Sequence, residues 1–393
     1  MKFAGLAWLV GALGLLPSCS GTYFVGVSSG GAGGTETGGA ATAGNSTTAA
    51  SGASMVGGGA GAVDGGGSAV VGGAGGSTST GSAGQATNPG DAGPPEPDSY
   101  CGLPLASSTA AASSFATPEQ VDARIQLFLL DTTSTATNLP QVTTREWAGN
   151  RALNLLASLN VPSAPGLDRF VSGWLPGTTQ PKFWAAYFSS KQGTLSDLFT
   201  TQVAQAKGAG VLTDPAVLKL TGITGRGSFI SKRLLCREVP LSPAGIDPLP
   251  DPVQGMSRRQ QLETATASPA CRACHVLTDP LGNALNHLTV GGAYISLENG
   301  VAIDSADSYT LPASGNISFT DVATLGKQLQ YSCEAATCLT RQLLSDAQTN
   351  ALLPGKITDS DVAQIASLFS ASGGDLRQLV RFIVQSDAFL RAK

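Results

Sequence analysis

The residues with the most specific chemistry lie close together in the second half of the chain. Cys271 and Cys274 are three positions apart, and His275 follows the second cysteine directly. Two thiols at this spacing can form thioether bonds with the two vinyl groups of a porphyrin, and the adjacent imidazole can then bind the iron. With seven cysteines and two histidines in 393 residues, chance would produce this pattern on the order of once in a thousand such chains. The pattern therefore predicts one covalent haem c per chain.

The second axial position of such an iron has more than one candidate. His287 is the only other histidine and is the first candidate ligand, with a solvated or hydrogen-bonded core histidine as the alternative. Met256 is a further candidate, and an open iron position would allow an enzymatic reaction. We expect the turn at 279–282 to place a backbone carbonyl against the second ring nitrogen of His275 and so fix its tautomer.

The same side chains allow two interpretations without haem. Cys271, Cys274, His275 and His287 offer sulfur and nitrogen ligands suited to zinc, although adjacent Cys and His ligands are an uncommon arrangement. Cys271 and Cys274 could instead form a disulfide with each other, which would leave a structural or interaction module at the cell surface.

The sequence predicts no other set of catalytic residues. The glycine-rich run 222–227 lacks the Lys-Ser/Thr pair of a phosphate-binding loop and is interpreted as a bend. The chain has no Gly-x-Ser-x-Gly elbow, so no hydrolytic or transferase site is predicted. Whether the protein is an enzyme stays open at this point.

The N-terminal residues predict export. Lys2 precedes an apolar run at 3–16 that is too short to span a bilayer, as in a signal peptide. The run ends in Leu-Pro-Ser-Cys at Cys19, which resembles a lipobox, with simple cleavage as the alternative. Residues 1–19 are therefore expected to direct export, and lipidation of Cys19 would anchor the protein in the outer membrane or at the cell surface. The periplasmic side is the alternative location.

The next segment and the overall charge define the expected partners. Residues 20–99 hold half of the 50 glycines and almost no large apolar side chains, which predicts a disordered Gly/Ser/Ala/Thr tether. The net charge is −4 and no basic block occurs, so nucleic-acid binding is not expected. The expected partners are a membrane, through the lipid, and an unknown redox protein.

The rest of the chain predicts a mainly α fold. Three parts are expected: an N-terminal helical domain at 100–225, a haem-motif domain at 226–313 with a cytochrome-c-like CxxCH segment, and a C-terminal helical domain at 314–393. One small β-hairpin is predicted around Asn299-Gly300, because this dipeptide supplies the positive φ angles of a tight turn. The best helix start is the capping box at 117–120. Further helical segments are predicted at 145–159, 167–175, 182–188, 194–207, 227–236, 257–267, 320–331, 335–346, 358–371 and 374–390.

Four cysteines remain after Cys19 and the two motif cysteines are set aside. They are Cys101, Cys236, Cys333 and Cys338. An exported chain lies in an oxidising compartment, so these four cysteines predict two disulfides. Three pairings are possible from the sequence.

Several runs around the motif resemble a known set of proteins. They are 210–218, 226–229, 233–236, 258–263, 268–275 and 279–282, followed by 341–344 and 382–389 in the C-terminal part. These runs are similar to the domains of unknown function of planctomycete-type cytochrome c proteins, with the motif domain and its C-terminal partner domain together covering about 210–393. Residues of about 145–219 resemble, more weakly, the helical domain that precedes them.

This resemblance implies a helical fold and haem c, with electron transfer or a redox accessory role as the leading expectation. It also implies that Cys236 pairs with Cys333 or Cys338. This chain departs from the family at Thr278, where a methionine is usual, so any iron ligation through that methionine is lost here.

Overall fold

The computed structural model describes residues 99–105, 114–134, 136–159, 164–203, 208–240 and 251–392. The predicted signal segment, Cys19 and all but the last residue of the predicted tether lie outside these ranges. Of the described residues, 55% are helical and 9% are in strands, so the predicted mainly α class is confirmed. Among the helices in the described ranges, none is both long enough and apolar enough to cross a bilayer.

The described residues form fifteen α-helices, one 3-10 helix and one π-helix. The elements before the motif are α1 (Pro118–Leu130), α2 (Arg145–Ser158), α3 (Pro165–Trp174), α4 (Pro181–Ser189), α5 (Leu195–Thr200), the 3-10 helix (Gly210–Thr213), α6 (Pro215–Leu218), α7 (Gly222–Phe229) and the π-helix (Ile230–Leu234). They are followed by α8 (Arg258–Ala265), α9 (Pro269–His275), α10 (Asp279–Asn283), α11 (Val322–Leu329), α12 (Cys333–Asn350), α13 (Asp359–Ala371), α14 (Leu376–Gln385) and α15 (Asp387–Leu390).

Side-chain caps explain why many of these helices begin where they do. At α1 the Gln120 N–H donates to the Thr117 hydroxyl, and the Thr117 N–H donates to the Gln120 side chain. The predicted start of this helix is confirmed. The same reciprocal arrangement begins α8 at Ser257 and α13 at Thr358. Each satisfies two backbone donors that a helix end leaves unpaired.

Three antiparallel two-stranded sheets occur in the described residues. They pair β1 (Ser99–Tyr100) with β2 (Leu103–Pro104), β3 (Leu297–Glu298) with β4 (Val301–Ala302), and β5 (Asp307–Leu311) with β6 (Gly315–Phe319). The hairpin at Asn299-Gly300 is confirmed, with φ of 50° and 84° at its turn. The prediction that the hairpin is the only one was wrong, because the described residues contain three antiparallel strand pairs. In β5 and β6 the alternate residues Tyr309, Leu311, Ile317 and Phe319 are buried, a period of two that belongs to a strand.

Two of the predicted helices have different limits in the structure. In the segment predicted at 194–207, helix α5 ends at Thr200, residues 201–203 are not helical, and 204–207 lie outside the described residues. The segment predicted at 374–390 divides at Ser386, which is extended (φ −72°, ψ 155°) and caps the N-terminus of α15.

Helices from all three predicted parts share one hydrophobic cluster. Helix α14 packs on α2, α12 packs on α13, and α1 packs on both α2 and α3. The largest fully buried side chains of this cluster include Phe128, Trp184 and Phe389. The domain boundaries at 225/226 and 313/314 stay predictions.

Candidate functional site

Helix α9 carries the two motif cysteines and the adjacent histidine. Ser268 caps it by accepting a hydrogen bond from the Cys271 N–H (3.4 Å), and Pro269 occupies the first turn. Residues at i, i+3 and i+4 share one face of an α-helix. The helix therefore presents Cys271, Cys274 and His275 along one side, which is what attachment of a single porphyrin requires.

The two sulfurs differ in their surroundings. Cys271 is buried, with 1% of its surface exposed, and its sulfur is in a disulfide. Cys274 is half-buried and carries a free thiol. The Cys271–Cys274 disulfide considered from the sequence is therefore not formed in this structure. Two thioether bonds would require Cys271 to be a thiol when it meets a vinyl group.

Asp279 fixes the orientation of the motif histidine. Its Oδ2 lies 2.8 Å from Nδ1 of His275, and its Oδ1 accepts a hydrogen bond from the Thr278 hydroxyl at 3.0 Å. The sequence prediction of a backbone carbonyl here was wrong, because 279–283 forms helix α10 and brings the Asp279 carboxylate to the ring instead. A carboxylate acceptor favours the tautomer with the proton on Nδ1, which leaves the Nε2 lone pair available.

A close crossing of α7 and α10 supports this arrangement. A Cβ on Gly227 would lie 1.8 Å from the Thr278 carbonyl oxygen, and a Cβ on Gly282 would lie 1.9 Å from the Ile223 carbonyl oxygen. The two helix backbones therefore touch through a pair of glycines. The interpretation of 222–227 as a bend was wrong, since these residues form most of α7.

Arg226, on the same helix, holds the segment that follows α10. Its guanidinium donates to three backbone carbonyls, of Leu285 (3.1 Å), Leu288 (2.9 Å) and Leu218 (3.0 Å). Burial lowers the pKa of Arg226 from its ordinary value. Sequence reasoning missed this residue because a single arginine in a glycine-rich run does not reveal which carbonyls it will meet.

The two candidates for the second axial ligand lie in different settings. His287 places its Nδ1 2.7 Å from the Ile295 carbonyl oxygen, and its ring stacks on Tyr294 at 4.7 Å between centroids. A carbonyl acceptor favours the tautomer with the proton on Nδ1, so the Nε2 lone pair of His287 is available, as it is in His275. Met256 is partly exposed, and its backbone carbonyl accepts a hydrogen bond from the Asn299 side chain at 3.0 Å.

The four residues considered for zinc do not form a metal cage. Within the described ranges, no three donor atoms of Cys271, Cys274, His275 and His287 lie within 4.8 Å of one another. The group that does meet this distance is Cys101, Cys333 and Glu334, where both sulfurs are in a disulfide. Neither set offers a tetrahedral arrangement of thiolates and imidazoles.

The segment around the motif exposes apolar side chains. Seven of the twelve exposed large apolar residues in the described part of the chain lie at 253–297. They are Val253, Met256, Val276, Val290, Tyr294, Ile295 and Leu297. Cys271, Cys274 and His275 have the residue types and spacing of a haem c attachment motif, but the Cys271 sulfur is in a disulfide in this structure.

Two disulfides join distant parts of the described chain. Cys101 pairs with Cys333 and Cys236 pairs with Cys338, with Cα separations of 5.6 and 5.2 Å. The prediction that Cys101, Cys236, Cys333 and Cys338 form two disulfides is confirmed, and so is the expectation that Cys236 pairs with Cys333 or Cys338. The second bond fixes the end of the π-helix segment to α12.

Comparison with known proteins finds a family similarity for one part of the chain. Residues 207–297 match PSCyt3, a protein family of unknown function (DUF1588). No curated protein and no solved structure matched the chain. The match covers a minority of the 393 residues and ends at 297, so the similarities noted for 145–219 and for the C-terminal part stay predictions. Residues 207–297, which hold the motif helix, its carboxylate partner and both histidines, are therefore similar to a planctomycete cytochrome c-type domain of unknown function.

Proposed function

We propose that this protein is an exported c-type haem protein that transfers electrons at the cell surface. Cys271 and Cys274 would hold the porphyrin, and Nε2 of His275 would bind the iron. The observation that carries the proposal is the 2.8 Å contact between Nδ1 of His275 and the Asp279 carboxylate. His275 lies on helix α9, which also presents both cysteines. When bound, haem c supplies one-electron exchange between ferrous and ferric iron.

The chain's own residues have separate roles in this proposal. Asp279 holds the imidazole in one tautomer and one orientation through the hydrogen bond to Nδ1. The exposed apolar side chains at 253–297 would offer apolar contact to the ring. His287 is the proposed second axial ligand, because its Nδ1 is already occupied by the Ile295 carbonyl.

The cellular location is also part of the proposal. Export rests on the N-terminal apolar run, and membrane attachment rests on the lipobox-like sequence at Cys19. The two disulfides of the described residues support an oxidising compartment. A Gly-rich tether after Cys19 would hold the helical part away from the membrane, where a soluble redox protein could reach the haem.

A spectroscopic experiment tests haem binding. The full chain is produced with haem-attachment machinery, and the reduced-minus-oxidised visible spectrum is recorded for the wild type and for His275→Ala. We expect a low-spin haem spectrum in the wild type that is lost in the variant. Cys274→Ala serves as the attachment control, because it removes one thioether and leaves His275 in place. Colourless wild-type protein would contradict the proposal.

Carbon monoxide separates electron transfer from an enzymatic role. A six-coordinate iron resists carbon monoxide, whereas an iron with an open position binds it. We expect reduced wild-type protein to bind carbon monoxide weakly and His287→Ala to bind it readily. Ready binding by the wild type would instead favour a haem enzyme.

A further inference from the structure

A cleft of about 770 Å³ opens beside the residues that follow the π-helix. Its volume is in the range of small-molecule sites, roughly 300–1,000 Å³. Val239, Pro240 and Leu277 form its apolar wall, together with Cys236, whose sulfur is in a disulfide. None of the described residues that line the cleft belongs to the motif at 271–275. The cleft is therefore a candidate site for a ligand of its own.

The charged side chains of the cleft leave a net positive charge. They are Lys232, Arg237 and Glu238, two cations and one anion. Within the described residues, none of the three forms an ion pair. The lining thus carries one positive charge that no carboxylate of the described chain neutralises, which favours a ligand with a single negative charge.

Arg237 is held in place by neutral groups. Its Nη1 donates to the Tyr309 hydroxyl at 2.7 Å and to the Thr310 carbonyl at 3.1 Å, and its guanidinium lies 5.2 Å from the centre of the Tyr309 ring. Its backbone N–H donates to the Ser231 carbonyl at 2.9 Å, and the disulfide fixes the residue before it. A cation that is already ordered loses little conformational freedom when a ligand binds.

The other edge of this guanidinium still has donors to offer. Within the described residues, Nε and Nη2 of Arg237 have no hydrogen-bond acceptor. These two nitrogens carry parallel N–H bonds at the spacing of the two oxygens of a carboxylate, so they can bind one in a bidentate manner. The free edge of Arg237 therefore specifies a planar anion rather than a point charge.

We infer that this cleft binds an organic monocarboxylate with an apolar body, such as an aryl or short acyl acid. Arg237 binds the carboxylate, Lys232 adds electrostatic attraction, and the apolar wall at 239–240 and Leu277 covers the body of the ligand. The site is independent of the proposed redox function, because the ligand is a free small molecule and the motif does not line the cleft.

The test compares two probes of the same shape on the full chain. 2-Naphthoate carries one carboxylate on an apolar body, and 2-naphthamide is its neutral analogue. Equilibrium dialysis gives the dissociation constant of each probe for the wild type, Arg237→Gln, Lys232→Gln and Arg233→Gln. Arg233 is the matched control, because it is an exposed arginine of the same segment that does not line the cleft.

We expect the wild type to bind 2-naphthoate about tenfold more tightly than 2-naphthamide, as a hydrogen bond to a charged group implies. Arg237→Gln should remove most of that preference, Lys232→Gln a smaller part and Arg233→Gln none. Affinity for 2-naphthamide should stay the same in every variant, which also shows that each variant is folded. Lys232→Gln, at an exposed position without an ion pair, decides the outcome if Arg237→Gln loses both probes.

Three results would overturn the inference. The first is no saturable binding of 2-naphthoate by the wild type, and the second is equal affinity for the two probes. The third is an equal loss of the preference in Arg233→Gln and Arg237→Gln, because a general surface charge would then explain the binding. None of these results depends on whether haem is attached, so the proposed function stands or fails separately.

Discussion

At the scale of single residues, Asp279 decides how strongly His275 can donate to a metal. The carboxylate accepts from Nδ1 at 2.8 Å, and the two side chains are only 13% and 15% exposed. Solvent therefore screens this contact poorly. A negative charge next to the imidazole stabilises ferric over ferrous iron, because the ferric ion has the higher charge.

Replacing this charge should change the potential of the bound haem. We predict that Asp279→Asn raises the reduction potential, since the amide keeps an acceptor for Nδ1 but removes the negative charge. A spectroelectrochemical titration measures the effect. Asp251→Asn removes an exposed carboxylate of the same formal charge and should leave the potential nearly unchanged. Equal potentials in Asp279→Asn and the wild type would show that the carboxylate does not act on the iron.

Arg226 is the residue on which the backbone after α10 depends. We predict that Arg226→Met lowers the free energy of unfolding by about 2–4 kcal/mol, because three carbonyls lose their donor inside the protein. Urea denaturation measures the change. The control is Arg272→Met, at an exposed position of α9, where a change of less than about 0.5 kcal/mol is expected. If both variants lose the same stability, the three carbonyl contacts are not the cause.

At the scale of elements, the contact between α7 and α10 positions the motif. We predict that Gly227→Ala lowers stability by about 1–3 kcal/mol, since the new Cβ would meet the Thr278 carbonyl oxygen at 1.8 Å. It should also reduce the fraction of low-spin haem, because Asp279 moves with α10. Thermal unfolding and the visible spectrum measure the two effects.

The same helix offers a matched control for that substitution. At Gly225 the nearest neighbour of an added Cβ is Leu220 Cβ at 4.0 Å. Gly225→Ala should therefore be tolerated and should stabilise the helix by up to about 1 kcal/mol. A Gly227→Ala protein as stable as Gly225→Ala would contradict the close approach of the two helices.

Glu334 joins the β5–β6 turn to the start of α12. Its carboxylate accepts from the backbone N–H groups of Ala313 (2.7 Å) and Ser314 (3.0 Å) and from the Ser314 hydroxyl. Burial alone would raise the pKa of Glu334, but these hydrogen bonds outweigh it, and the pKa is lowered. The resulting stabilisation is complete above the unfolded-state pKa of about 4.3 and is lost as the pH falls through the lower folded-state value.

We predict that Glu334→Gln costs about 1–2 kcal/mol at neutral pH and that this difference from the wild type shrinks in acid. Denaturation at a series of pH values measures it. Glu146→Gln is the control, because Glu146 lies in the first turn of α2 but is exposed. A difference for Glu334→Gln that stays constant between pH 7 and about pH 3 would contradict the hydrogen-bonded carboxylate.

At the scale of the whole molecule, disulfides connect parts that are far apart in sequence. Cys101 and Cys333 are 232 residues apart, and Cys236 and Cys338 are 102 residues apart. We predict that the double variant Cys236→Ser/Cys338→Ser lowers the free energy of unfolding by about 2–5 kcal/mol, because the unfolded chain regains the freedom of a large loop. Urea denaturation under non-reducing conditions measures the loss. An unchanged midpoint would contradict a structural role for this bond.

The sequence predicted local features well and contacts between elements poorly. The caps at 117–120 and the Asn299-Gly300 turn were found because their signals lie within a few residues. The helical state of 222–227 was missed because one of its glycines, Gly227, serves a crossing with α10, which is distant in sequence. The motif was recognised, but the carboxylate partner of His275 was not, because it depends on 279–283 being a helix rather than a turn.

Intact mass spectrometry on the full chain taken from its native compartment, followed by mapping of the peptide that holds Cys271 and Cys274, tests whether a porphyrin is attached. We predict one haem per chain, bonded to both sulfurs of that peptide. A haem-free mass, with the Cys271 sulfur in a disulfide and Cys274 still a thiol, would contradict the proposed redox function.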